Sequence, residues 1–143
     1  MKTMIRTLLA LASLVLTTPA AAAKPADCSA SLDVVQTAVL GNCDCAGSET
    51  HGRFVRCAVR VVKGLAQDGL LPKSCRGAYV HGYAHSTCGK PGTFTTCCLA
   101  RGASTACSVK RASVCEHLGG TPGSTSTCVD ACLPSSPSGA FLD

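Results

Sequence analysis

The stretch 53–67 reads RFVRCAVRVVKGLAQ and carries the clearest periodic pattern in the chain. Its apolar side chains recur at the three- and four-residue spacing of an α-helix and would fill one face of it. They are Val55, Ala58, Val59, Val62, Leu65 and Ala66. Asp68 and Gly69 follow, a typical helix stop. The pattern therefore predicts an amphipathic helix that packs against a core.

The same stretch places four basic residues on another side of the helix. Arg53, Arg56, Arg60 and Lys63 fall within an arc of about 80° at 100° per residue. We call these four side chains the basic face. Such a row is a candidate binding surface for an anionic polysaccharide, lipid headgroups or an acidic patch on a protein. It is also what a solvated helix face looks like, and the sequence leaves both interpretations open.

Two further helices are predicted, one on each side of this stretch. Residues 32–40 have their apolar side chains mainly on one side, with Ser29 or Ser31 as the N-cap and Gly41 as a left-handed C-cap. Residues 42–52 indicate a loop. Residues 74–86 fit either an alternating strand or a helix, and helix is favoured because Ser74 can cap it and residues 88–92 can end it.

The region beyond residue 92 predicts a β-hairpin. Residues 93–99 and 105–110 are typical of strands, with a turn at Arg101 and Gly102. Depending on the register, Cys97 or Cys98 would face Cys107 and form a disulfide across the hairpin. Residues 112–118 suggest one more short helix. The predicted fold class is α+β, a small disulfide-rich domain with two or three short helices and a β-hairpin.

Twelve cysteines in an even count predict a framework of up to six disulfides. They are Cys28, Cys43, Cys45, Cys57, Cys75, Cys88, Cys97, Cys98, Cys107, Cys115, Cys128 and Cys132. Cys97 and Cys98 should point to opposite faces of a strand and take different partners. Cys75 and Cys88 should also have separate partners, because a helix between them would hold them about 20 Å apart. With no Trp, three Phe and two Tyr, the core needs these bridges.

The two ends of the chain predict export and a tail. Residues 1–23 combine Lys2 and Arg6 with a short apolar run and small residues, which is typical of a secretory signal peptide cut after Ala23. Residues 24–133 would form the disulfide-rich domain, and residues 134–143 a flexible C-terminal tail. We expect a periplasmic or extracellular product with no membrane span in the mature chain. Its charge of about +3, after loss of two basic residues from +5, is too small for a nucleic-acid binder.

The histidines offer a possible metal site. On a helix, His81 and His85 lie one turn apart on one face, the spacing at which two imidazoles share a zinc or copper ion, and His51 is a candidate third ligand. A pair with no metal is the alternative, and Gly82 stands where a zinc protease would have its glutamate. Tyr79 and Tyr83 beside them are candidates for a binding surface or for core packing. We expect no cofactor.

Together these features predict an exported cysteine-rich binding or interaction protein whose partner is an unidentified protein or anionic surface. One alternative is a periplasmic or extracellular metal-binding protein that uses the HxxxH pair. A second is a small secreted enzyme or enzyme inhibitor. An enzyme is disfavoured, because the chain has no serine-hydrolase, zinc-protease or papain-like motif and its carboxylates are scattered singly.

Overall fold

The structure, a computed structural model, describes residues 28–133 and has the α+β fold that the sequence predicts. The predicted signal peptide and C-terminal tail lie outside the described residues. Within residues 28–133 the fold consists of four helices and a three-stranded antiparallel sheet. In chain order they are α1 (Leu32–Asn42), α2 (His51–Gln67), α3 (Arg76–Ala84), β1 (Phe94–Arg101), β2 (Ser104–Arg111), α4 (Ala112–His117) and β3 (Thr121–Pro122), with single 3₁₀ turns at Ser29–Ser31 and Lys73–Cys75.

Helix α2 is the centre of the hydrophobic core and packs between α1 and α3. Its buried side chains are Phe54, Ala58, Val62 and Ala66, a row at four-residue spacing. The sequence prediction omitted Phe54, so the predicted face is rotated from the real one. Val55, Val59 and Leu65, which belong to the predicted face, are only partly buried. The ring of Phe54 meets Tyr83 of α3 edge-on at 6.3 Å between centroids, which joins α2 to α3.

Several predicted helix ends are wrong. Helix α2 begins at His51, two residues before the stretch that carries the pattern, because Thr50 caps it by accepting a hydrogen bond from the Arg53 N–H. Helix α1 continues through Gly41, which is not in the left-handed region, and ends at Asn42. The Asn42 side-chain amide donates back to the Ala38 carbonyl at 2.7 Å and satisfies that end of the helix.

Two of the predicted helix starts also differ from the structure. Neither Ser31 before α1 nor the residue before α3 makes a side-chain cap, and Ser74 lies inside a 3₁₀ turn that leads into α3. The helical interpretation of residues 74–86 is nevertheless confirmed by α3, and the strand alternative for these residues is wrong. The predicted stop after α2 is also confirmed, since Gly69 has a φ of 75°.

The predicted hairpin is confirmed as β1 and β2, with Gly102 at a φ of 59° in the turn. Strand β1 is the central strand and pairs on its other edge with β3. Cys98 lies directly opposite Cys107, so their side chains point to the same face, while Cys97 points to the other. Helix α4 packs against the Cys97 face, and the chain after β3 runs across the Cys98 face.

All twelve cysteines form disulfides, in two groups that do not mix. Three bridges lie within the helical part of the chain and three within the part that contains the sheet. The pairs are Cys28–Cys75, Cys43–Cys57 and Cys45–Cys88, then Cys97–Cys115, Cys98–Cys132 and Cys107–Cys128. Cys97 and Cys98 have different partners, and so do Cys75 and Cys88, as the sequence predicts.

The disulfide predicted across the hairpin is wrong. Cys98 and Cys107 face each other, but each bonds to a cysteine of residues 123–133, which we call the closing segment. This segment covers that face of the sheet, where Thr96 donates to the Thr125 carbonyl at 2.6 Å. Both sulfurs bond instead to cysteines of the closing segment, and these two bridges attach that segment to the hairpin.

The closing segment also joins the sheet to the helices. The Cys128 N–H donates to the His85 carbonyl at 2.9 Å, and the Thr87 N–H donates to the Ser126 carbonyl at 2.8 Å. Val129 packs against Gly82 of α3 so closely that a Cβ there would lie 2.7 Å from a Val129 methyl carbon. No bridge crosses between the two disulfide groups, so these contacts are an important non-covalent connection between helices and sheet. No helix of the described residues is long and apolar enough to cross a bilayer.

Candidate functional site

The basic face lies on the side of α2 that points away from the core. Its four side chains are all exposed, and by helix geometry they lie opposite the row of Phe54, Ala58 and Val62. From Arg53 to Lys63 the row extends about 15 Å along the helix axis at 1.5 Å per residue. Cys43–Cys57 ties α2 to the chain after α1, so the face is built on a covalently held element.

One member of the basic face is neutralised within the fold. Arg53 pairs with Glu49, four residues earlier, and this is the one ion pair among residues 28–133. Arg56, Arg60 and Lys63 form no ion pair with any residue in that range. Three positive charges on one side of a helix therefore face solvent without a compensating carboxylate in contact.

His51 is the first residue of α2, and both of its ring nitrogens lie close to backbone carbonyl oxygens. Its role as a third metal ligand stays a prediction. Its Nδ1 lies 3.0 Å from the Cys88 carbonyl oxygen, and its Nε2 lies 3.1 Å from the Ala84 carbonyl oxygen. Both ring nitrogens are thus directed at backbone acceptors. The ring links the start of α2 to the end of α3. Within the described part of the chain no three His, Cys, Asp or Glu residues form a group suited to a metal ion.

His81 and His85 do lie together at the end of α3, as the helical spacing predicts. Their rings stack at 4.2 Å between centroids with planes 29° apart, and the His85 Nδ1 lies 3.0 Å from the His81 carbonyl. In stacked rings the nitrogen lone pairs lie in nearly parallel planes and do not converge on one point, as two ligands of one ion must. A two-histidine metal site stays a prediction that would require the rings to turn.

Tyr79 and Tyr83 belong to the core and do not form the predicted binding surface. Tyr79 is 5% exposed, and its hydroxyl donates to the Cys28 carbonyl at 2.6 Å. Tyr83 is 1% exposed, and its hydroxyl has no hydrogen-bond partner among residues 28–133. Burial raises the pKa of the Tyr83 phenol well above its usual value, and the carboxylate of Asp130 adds to this effect.

A cavity of about 300 Å³ lies beside Tyr83, between α1, α3 and the closing segment. Its polar wall is built around Asp130, whose Oδ2 accepts from the Gln36 amide at 2.5 Å. Oδ1 of the same carboxylate accepts from the hydroxyls of Thr125 at 2.6 Å and Thr127 at 3.2 Å. We call this space the Asp130 cavity. Its other wall includes Leu40 and the sulfur-bearing residue Cys45.

Sequence reasoning named Tyr83 but missed Asp130 and Gln36. These residues come from three separate segments, and Gln36 and Asp130 are separated by 94 in sequence number, so no local spacing connects them. The one available signal was a lone Asp between the last two cysteines, in a stretch rich in threonine.

Comparison of the chain with protein-family models gives no match. Comparison with curated proteins and comparison with solved structures give no match either.

Proposed function

We propose that this chain is an exported, disulfide-stabilised binding protein that engages an anionic partner through the basic face of α2. The observation that carries the proposal is a set of three exposed cations on one side of α2 that form no ion pair within residues 28–133: Arg56, Arg60 and Lys63. Six disulfides support export, because such bridges form and persist in oxidising compartments.

The basic face suits a partner with regularly repeated or clustered negative charges. Arginine presents a planar fork of N–H donors that matches carboxylate, sulfate and phosphate groups. Each such contact at an exposed site is weak, at roughly 0–1 kcal/mol. A row of them on one rigid helix acts together, because the helix has already fixed the backbone that carries the charges. The resulting affinity should be moderate and should fall with added salt.

A binding role also agrees with what the cysteines do in this fold. All twelve are paired, so thiolate nucleophiles and thiolate metal ligands are not available in the oxidised protein. The exposed charged side chains are then the main groups left for recognition on α2.

The test compares charge reversal on the basic face with equal reversal elsewhere. The double variant Arg56→Glu with Arg60→Glu should lose binding to immobilised heparin, a polymer of sulfate and carboxylate groups. The control is Arg101→Glu with Arg111→Glu, which changes the net charge by the same amount at the hairpin, where both side chains are exposed.

Wild-type protein should be retained on heparin at low salt and released as salt rises, and it should pass through an uncharged dextran matrix. The control variant should keep most of this retention. If both variants lost heparin retention equally, binding would depend on net charge alone and not on the basic face. Failure of the wild type to be retained on heparin would also contradict the proposal.

A further inference from the structure

We infer that the open edge of β2 binds an extended acidic peptide, which joins the sheet as a further strand. Backbone hydrogen bonds supply the attraction, and side-chain charges select the partner. This surface belongs to the hairpin, whereas the basic face belongs to α2. The inference goes beyond the proposed function and does not depend on it.

The two edges of the sheet differ. One edge is β3, which has two residues, Thr121–Pro122, and proline has no N–H to offer to another strand. The other edge is β2, which has eight residues and pairs with β1 along its whole length without a bulge or a proline. A long, regular edge strand is a template for a further strand, and short strands and prolines prevent such pairing. Within residues 28–133 the fold therefore protects one edge and leaves β2 open.

A hydrogen bond at the base of the hairpin shows which backbone groups of β2 point outward. The Ala112 N–H donates to the Thr93 carbonyl at 3.2 Å, one step beyond the register of the two strands. Since bonded and non-bonded pairs alternate in an antiparallel ladder, the even-numbered residues of β2 bond to β1. The N–H and C=O groups of Thr105, Cys107 and Val109 therefore point away from the sheet. No backbone group elsewhere in the described residues bonds to them.

The open edge of β2 is also accessible. None of its eight residues is buried, and Thr105 is exposed. The closing segment covers one face of the hairpin and is bonded to it by Cys107–Cys128, but the backbone hydrogen bonds of that segment go to β1, to residues 85–87 and to itself. An incoming strand would lie beside β2 at about 4.8 Å, so the two do not compete for the same backbone groups.

The charges around the edge favour an acidic partner over a second copy of the chain. Residues 93–115 contain no Asp or Glu and three basic residues: Arg101, Lys110 and Arg111. None of these three forms an ion pair within the described part of the chain. If two copies paired through β2, the positive charges of both hairpins would gather along the joined edges without a carboxylate from either hairpin. An acidic strand instead brings the opposite charge to this edge.

Cations are concentrated at the base of the hairpin. Arg111 lies over the ring of Phe94, the residue opposite it on β1, at 6.0 Å from the ring centroid. Lys90 lies over the same ring at 5.6 Å. Lys110 precedes Arg111 in the strand, and Arg101 lies at the turn, near the other end of the edge. A peptide with a carboxylate at each end can therefore pair with a cation at each end of β2 while its middle residues form the backbone hydrogen bonds.

Three synthetic peptides separate the backbone contribution from the charge. The acidic probe is acetyl-EVTVTVE-amide and the basic probe is acetyl-KVTVTVK-amide. The third is the acidic peptide with the backbone nitrogens of its valines and threonines methylated, which keeps both carboxylates but cannot pair as a strand. Any binding of this third peptide measures what charge alone contributes, including contact with the basic face.

Titration calorimetry on the oxidised protein should show the acidic peptide binding roughly tenfold or more tightly than either of the others. Equal affinity of the methylated peptide would overturn the strand addition, and equal affinity of the basic peptide would overturn the choice of partner. Absence of binding by the acidic peptide would overturn both.

Substitutions at the edge have a matched control. Val109→Pro removes an outward N–H and none of the ladder to β1, so it should abolish binding of the acidic peptide. Lys110→Gln with Arg111→Gln should weaken binding roughly tenfold. Lys73→Gln with Arg76→Gln, an equal loss of exposed charge in the helical part, should leave it unchanged. Full binding by a folded Val109→Pro protein, or equal affinities of the two charge variants, would overturn the assignment.

Hydrogen exchange of the wild type keeps the inference testable if a variant does not fold. In the protein alone, the amides of Thr105, Cys107 and Val109 should exchange faster than those of Ala106 and Ser108, which bond to β1. The acidic peptide should slow the first set and leave the second set unchanged. An equal effect on both sets, or no effect, would overturn the site.

The same measurement distinguishes a second copy from an acidic partner. Slow exchange of the outward amides in the protein alone, together with a dimer in sedimentation, would assign the edge to a second copy and overturn the acidic peptide. Loss of heparin binding in the α2 variant has no bearing on exchange at β2, so the two proposals fail separately.

Discussion

Replacement of Tyr83 by Phe should make the ligand-free protein more stable. The residue is 1% exposed, and its hydroxyl has no hydrogen-bond partner within the part of the chain that the structure describes. A buried polar group without a partner costs roughly 1–3 kcal/mol, and Phe keeps the ring that contacts Phe54 while removing that cost. At about 4 °C per kcal/mol for a domain of this size, the melting temperature should rise by about 4–12 °C.

The assay is thermal or urea unfolding followed by circular dichroism, with the disulfides kept intact. Tyr79→Phe is the matched control, because Tyr79 lies one turn earlier on α3 and its hydroxyl donates to the Cys28 carbonyl at 2.6 Å. That variant should lose about 1 kcal/mol. A Tyr83→Phe protein that is less stable than wild type would show that the hydroxyl has a partner, and the burial cost assigned to it would then be refuted.

Two further predictions concern α3. Gly82→Ala should destabilise the fold by about 1–3 kcal/mol, because its Cβ would lie 2.7 Å from a methyl carbon and 3.1 Å from backbone atoms of Val129. The control Gly77→Ala has open space around it and should instead stabilise the fold by roughly 0.5–1 kcal/mol. Equal urea unfolding midpoints for the two variants would count against the close contact at Gly82. Tyr83 also makes stability depend on alkaline pH: its pKa is raised in the folded state, so stability is fully present below pH about 10 and falls as pH rises beyond it. In urea unfolding, the free energy of unfolding of Tyr83→Phe should fall less above pH about 10 than that of the wild type. An identical pH dependence in the two proteins would contradict the raised pKa of Tyr83.

The helices and the hairpin were predictable because their signals are local. Apolar spacing alone indicates α2, and the turn at Gly102 between two strand-like runs indicates β1 and β2. The error in the core face of α2 came from one omitted residue, Phe54. The helix ends were harder to predict, because caps such as Thr50 depend on where one side-chain oxygen points.

The disulfide partners and the cavity were not predictable, because both depend on contacts between distant segments. Cys98 and Cys107 face each other, yet the closing segment brings Cys132 and Cys128 over that face and takes both sulfurs. Asp130 is likewise a single acid with no acidic neighbour in the sequence. Its carboxylate meets the Gln36 amide only because the closing segment lies against α1.

The proposed binding surface depends on a domain closed by six disulfides in two separate groups, which leaves recognition to the charged and polar side chains. Peptide mapping of the non-reduced protein by mass spectrometry tests this most directly. It should find no free thiol, three bridges confined to residues 28–88 and three confined to residues 97–132. A free cysteine, a Cys98–Cys107 bridge or any bridge between the two groups would contradict the fold and the sites built on it.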